Sequence, residues 1–196
     1  MNKLMGFYEL KDMNIPSVPW EEYTGKETLD PECLWSVRSA VFRGNDLNLP
    51  RIIGATASQA IAFADDLLTK MRDAGIVIFY PYFLANKSGT LNIFNRSVII
   101  EAVRGDLWNL VTYSDREVTI RIENDEKIMD GNRDFLTETE IGVLLENVPK
   151  IKRSFRNDLA EGKSVLLEWS FAQKSGLSKE PLGKEYLVFY EARTVE

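Results

Sequence analysis

Three charged residues near the end of the chain, Glu168, Glu191 and Arg193, sit inside apolar runs, LLEWSFAQ and YLVFYEARTV. Side chains at i and i+2 share a sheet face, so Leu166, Glu168 and Ser170 point one way and Val165, Leu167 and Trp169 the other. Strict alternation in the last run places Leu187, Phe189, Glu191 and Arg193 together. Paired as a hairpin, the two runs bring two carboxylates and a guanidinium onto one surface. Mg²⁺ takes one or two carboxylates plus phosphate oxygens, and arginine neutralises a phosphate bidentately. The pattern therefore reads as a site for metal and polyphosphate, with Glu168 and Glu191 as metal ligands. The competing reading is three ordinary charges on the solvent face of an edge hairpin. An acid and base pair for sugar cleavage needs a cleft and a defined carboxylate separation, and the sequence displays neither.

Composition narrows the chemistry. The 196 residues contain no histidine, which removes Ser-His-Asp and Cys-His nucleophilic systems, HExxH zinc chemistry and any phosphohistidine. Cys33 is the only cysteine, so neither an intrachain disulfide nor a thiolate zinc cluster can form, and it reads as an inert thiol. Carboxylates, lysine, arginine and backbone must carry any reaction. A net charge of -6 argues against a nucleic-acid partner, and the one basic run, KIKRSFR, reads as a solvated helix face. Hydrophobic content of 44% suffices for a real core, while no apolar run approaches the roughly 20 residues that span a bilayer. The opening MNKLMGFYELKDMN is too charged for a secretory signal, so a cytoplasmic protein without membrane partners is expected.

The elements that must position these residues follow from periodicity. Residues 1–34, rich in proline and charge, read as an irregular N-terminal arm, with residues 35–196 as a single domain. CLWSVRSAVF reads as a strand. Thr56 and Gln59 form a capping box for a helix over Ala60, Phe63, Ala64, Leu67 and Met71, with Gly75 as its stop. IVIFYPYFL is a strand buried on both faces, ended by Pro81. KSGTLNI reads as a turn into another strand, SVIIEAV as the next, and EVTIRIE alternates with Val118, Ile120 and Ile122 inward. Thr137 and Glu140 cap a second helix. Pro149 starts a third that carries Ile151, Phe155 and Leu159 to Gly162. This order predicts an α+β fold, a mostly antiparallel sheet with helices on one side.

Several stretches, in order, resemble the ATP-grasp nucleotide-binding domain of phosphoenolpyruvate synthase and pyruvate phosphate dikinase. They are SVRSA followed by NDL, YPYFLANKSGTLNI, SVIIEAVRGDLWNLV, LTETEIGVLLENVPKIKRSF, LLEWSFA and GKEYLVFYEARTV. The family pattern runs VRSSA, EDL, VQxMVxAxxSGVxFT, IEAxxGLGExVV, LTDEE, DIEWA and YxLQARPV. The likeness covers positions from about Ser36 to Glu196. It implies an ATP-grasp-like domain that binds ATP with Mg²⁺. Arg38 matches the arginine that contacts nucleotide phosphates, Glu168 the glutamate of DIEW, and Arg193 the arginine of QARP. Glu191 stands where the family has glutamine, and these four form the expected nucleotide site.

The departures limit what the resemblance implies. Leu166 replaces the aspartate of DIEW, Tyr80 replaces the glutamine of VQxM near the adenine, and GDLW replaces GLGE. No counterpart of the GGKG segment with its phosphate-binding lysine precedes them. Each preorganised charge is commonly worth about a hundredfold in rate, so nucleotide binding can outlast turnover. Two functions follow: a nucleotide-binding domain that phosphorylates an unknown acceptor, or a non-catalytic descendant that binds a protein partner or itself. The second draws on the aromatics of FYPYF, DLWNLVTY and EYLVFY, an interaction surface if uncovered and core if not.

Overall fold

A computed structural model describes residues 3–43, 49–107, 110, 115–124 and 126–196. Its strands divide into two sheets. The smaller holds β1 (Glu21–Glu22), β2 (Trp35–Val41), β3 (Arg51–Ala55) and β4 (Gly75–Pro81) in the order β1-β4-β2-β3. The larger holds β5 (Phe83–Ile93), β6 (Ser97–Arg104), β7 (Val118–Glu123), β8 (Glu126–Gly131), β9 (Ser164–Ser175) and β10 (Pro181–Val195) in the order β10-β9-β5-β6-β7-β8. All paired strands are antiparallel, as expected, although one sheet was anticipated and two are found.

Helix α2 (Ala57–Met71) covers the outer face of the small sheet, burying Ala60, Ala64 and Leu67 against Val37, Val77 and Phe79. Its Thr56–Gln59 capping box forms as read, satisfying amides that the first turn leaves free. It ends at Met71, and Gly75 opens β4, where a side chain would collide with the Ala40 carbonyl. The outer face of the large sheet is covered by α3 (Glu138–Leu145), α4 (Val148–Ser154) and α5 (Arg156–Ala160). The Thr137–Glu140 box starts α3, Pro149 lies in the first turn of α4, and Phe155 breaks what read as one helix into two. Trp169, Phe189, Leu144 and Ile151 are fully buried there, each worth roughly 1.5–3 kcal/mol of burial.

KSGTLNI is not a turn but the second half of β5. Gly89 leaves room for the Trp169 ring and the Glu101 carbonyl, which a Cβ would strike. The stretch expected as an irregular arm carries α1 (Lys3–Asp12), whose Leu4, Phe7 and Leu10 recur every third residue and are buried. Met5 and Tyr8 stand exposed on the same helix and blur the contrast between its faces, and Pro16 and Pro19 lie just beyond, so that short period was hidden. The aromatics proposed as a free patch divide: Phe79, Tyr80 and Phe189 are buried, Tyr82, Phe83 and Tyr190 are half-buried, and Tyr186 is exposed. Trp108 and Tyr113 of the same proposal lie outside the described residues. Among the described residues no helix is long and apolar enough to cross a membrane.

Candidate functional site

A single residue, Tyr82, separates β4 from β5, so the chain passes from one sheet to the other in one step. The inner faces of the two sheets meet through Ala40, Ile76 and Ile78 on one side and Ala172 and Val188 on the other. Beside that contact they part around a cavity of about 930 Å³. A volume of this order suits a bound small molecule.

Alternation decides what enters the cavity from the small sheet. Val37 packs under α2, so Ser36 and Arg38 face inward, and Tyr80 does the same from β4, opposite Ser36. Arg38 lies in mid-strand with its side chain 12% exposed.

The opposing wall corrects the sequence reading of β10. Leu187, Val188 and Phe189 pair with Phe171, Ser170 and Trp169, and then Glu191 pairs with Glu168, so Tyr190 is an extra residue in a β-bulge. Leu187 and Phe189 therefore face the helix-covered core, while Glu191 and Arg193 share the inner face with Glu168 and Leu166. Uninterrupted pairing would have sent Glu191 into the core, because a shift of one residue exchanges the faces of a strand. All four expected residues, Arg38, Glu168, Glu191 and Arg193, line the one cavity.

The cavity is polarised along its length. Near the Tyr82 linker it is apolar, with Phe83, Leu84, Ala85, Ile53 and Leu107. Leu84 lies opposite Gln173 of β9 and Thr90 opposite Glu168, so the charged end is five residues further along β9, roughly 17 Å. The charged lining residues are Arg38, Arg51 and Arg193 with Asp106, Glu168 and Glu191. The cavity thus offers a mainly apolar slot near Tyr82, where Asp106 is close enough to act on the phenol, and Arg38, Arg193, Glu168 and Glu191 at the other end.

Electrostatics at the charged end are tight. Arg38 Nη2 lies 3.6 Å from Glu191 Oε2, and Glu191 is only 4% exposed. Burial pulls the Arg38 pKa down, but Tyr80, Glu191 and Glu168 outweigh it, leaving the guanidinium above its ordinary value and fully charged. Burial, then the Glu168 charge, pushes the Tyr190 hydroxyl well up, and a hydrogen bond with Ser170 opposes that only in part, so Tyr190 is a neutral phenol. Among the described residues the buried Arg193 Nε has no hydrogen-bond partner. A buried cationic donor left in this state calls for an acceptor from a ligand or solvent. Glu168 and Glu191 are neighbours across the ladder, and no group of three or more potential metal-ligating residues occurs among the described residues. Two carboxylates completed by phosphate oxygens is a donor set that fits Mg²⁺. Cys33 stands away from the cavity, its thiol pKa raised by burial and Asp30, in keeping with an inert role.

The solved structures that resemble this chain decide the architecture. D-alanine-D-alanine ligase of Helicobacter pylori superposes with a TM-score of 0.51 at 12% identity over 98% of this chain and 50% of its own. N5-carboxyaminoimidazole synthetase of Staphylococcus aureus, solved with ADP, gives 0.52 at 13% identity over 97% of this chain and 43% of its own. The fold is ATP-grasp. L-amino acid ligase of Bacillus licheniformis gives 0.51 at 12% identity over 97% of this chain and 39% of its own. The chain spans about half or less of the length of these ATP-grasp enzymes. No family model matches the sequence, and no curated protein matches it significantly. Sequence reasoning missed Ser36, Ser170 and Tyr190 as lining residues. Small polar residues carry no signal in a strand, and nothing in FYEAR marks the bulge.

Proposed function

We propose that the cleft between the two sheets binds ATP with Mg²⁺. The adenine would enter the apolar slot beside the Tyr82 linker, and the phosphates would run toward Arg38 and Arg193. Glu168 and Glu191 would hold the metal, which when bound neutralises phosphate charge and orients the chain of phosphates. The observation that carries this reading is the Tyr190 bulge, which turns Glu191 and Arg193 out of the core and into the cavity facing Arg38. The ADP present in the Staphylococcus aureus structure of the same fold supports it.

The ordered motifs shared with the phosphoenolpyruvate synthase and pyruvate phosphate dikinase domain support a finer reading, phosphoryl transfer to a small acceptor or a partner protein. On this reading Arg38 and Arg193 would stabilise charge on the transferred group, the dominant contribution in such chemistry. None of these residues offers an imidazole, so a transfer carried out by them alone would go to the acceptor directly. Thermal unfolding with and without ATP and Mg²⁺ tests the binding step. Ligand at a hundredfold its Kd adds about 2.7 kcal/mol to stability and raises Tm. An unchanged Tm at millimolar ATP and Mg²⁺ would remove the reading.

A further inference from the structure

Arg38 is held on a third side by a residue the sequence gives no reason to notice. Its guanidinium carbon lies 5.6 Å from the centroid of the Phe7 ring, which α1 contributes. Phe7 is 2% exposed and is itself fixed by Trp20, whose ring lies edge-on at 5.9 Å and whose Nε1 donates to the Phe7 carbonyl at 3.2 Å. The preceding residue, Gly6, meets the other wall of the cleft. A side chain there would run into the carbonyl oxygen of Ala192, the residue between Glu191 and Arg193. One helix therefore touches the small sheet at Arg38 and the large sheet at Ala192, and these two strands carry three of the four candidate ligand-binding side chains.

We propose that α1 is a working part of the cleft: Phe7 is a positioning residue that holds the Arg38 guanidinium against Glu191, and the Gly6 contact fixes β10 relative to it. The inference rests on the nucleotide reading of the cleft and adds a consequence to it. Docking of α1 and binding of nucleotide are coupled, so each strengthens the other. A cation over an aromatic face is stabilised by the ring quadrupole, which an aliphatic side chain of similar size does not provide. Losing the ring frees the guanidinium to turn away from the carboxylate.

The test uses the full chain with ATP and Mg²⁺ as the probe. Phe7→Leu keeps an apolar side chain without a ring face, and binding is expected to weaken at least about threefold. Phe7→Ala is expected to weaken it at least about tenfold. Bound nucleotide should slow amide hydrogen exchange in α1 of the wild type, a readout that a merely structural helix does not give. Unchanged affinity in folded Phe7→Leu, together with α1 exchange indifferent to nucleotide, overturns the proposal. Should Phe7→Ala not fold, Phe7→Leu carries the comparison. If the wild type binds no nucleotide, the functional reading fails, and a double-mutant cycle of Phe7→Leu with Arg38→Met in urea unfolding judges the positioning. A coupling of at least about threefold in the unfolding constant supports it, and additivity refutes it.

Discussion

Glu191 stands directly across the ladder from Glu168, one residue past the bulge at Tyr190, and its carboxylate is paired at 3.6 Å with Arg38 of the other sheet. This pair ties the two walls of the cleft together. Because both side chains are nearly buried, removing one partner takes away a close counter-charge of the other; without Glu191, Arg38 keeps Glu168 and Tyr80. Glu191→Leu is expected to destabilise the fold by about 3 kcal/mol, and Arg38→Met combined with Glu191→Leu to recover most of that loss. Urea unfolding of the two single variants and the double variant measures it; equal and additive losses would show that the pair is not coupled.

Gly6→Ala separates helix propensity from close approach. In an exposed helix this change stabilises by about 1 kcal/mol. In α1 the new methyl meets the Ala192 carbonyl, so the variant is expected to be less stable than wild type. A rise in Tm would mean that α1 does not lie this close to β10.

Gly89→Ala tests the packing beneath the cavity floor. The added methyl falls on the Trp169 ring and the Glu101 carbonyl of the next strand, with no room to yield. Overpacking of this kind costs about 1–3 kcal/mol, readable as a lower urea midpoint with little change in slope. Wild-type stability in this variant would contradict the register of β5 between β6 and β9.

Acid should weaken the fold through Glu140. Burial raises its pKa, but hydrogen bonds from Lys87 and from Thr137 outweigh that and hold it below the ordinary 4.5. Lys87 Nζ donates to Glu140 Oε1 at 2.7 Å, joining α3 to β5. A depressed carboxylate contributes stability that is fully present above the unfolded pKa and lost as pH falls through the folded one. Stability should thus be flat just above about pH 4.5 and decline below it. In Glu140→Gln the decline should be shallower, as unfolding measured from pH 7 to pH 3 would reveal; an unchanged slope would show that Glu140 is not its source.

Much of this was legible in the sequence because alternation and capping are local. Thr56 with Gln59 and Thr137 with Glu140 started helices as read, and Glu168 faced away from Leu167 and Trp169 as its parity required. Parity failed where a non-local feature intervened. Nothing in YLVFYEARTV says that Tyr190 is extra, since a bulge arises from pairing with β9 and not from the strand itself. The facing of Glu191 and Arg193 with Glu168 was anticipated, but their sharing a face with Leu187 and Phe189 was wrong for that reason. Gly75 and Gly89 misled similarly. Both read as chain breakers, whereas each admits a neighbour, the Ala40 carbonyl at one and the Trp169 ring at the other. The split into two sheets was hidden because Pro81 and Tyr82 signal only a strand end, and the change of sheet at that point is a tertiary event.

Calorimetric titration of ATP into the protein, with and without Mg²⁺ and in wild type beside Glu168→Gln, tests the central claim most directly. The account predicts saturable binding of the wild type that depends on Mg²⁺ and weakens at least about tenfold in the variant, because one of two metal-holding carboxylates is lost. Absence of binding heat at millimolar ATP with Mg²⁺, or equal affinity in wild type and Glu168→Gln, would contradict it.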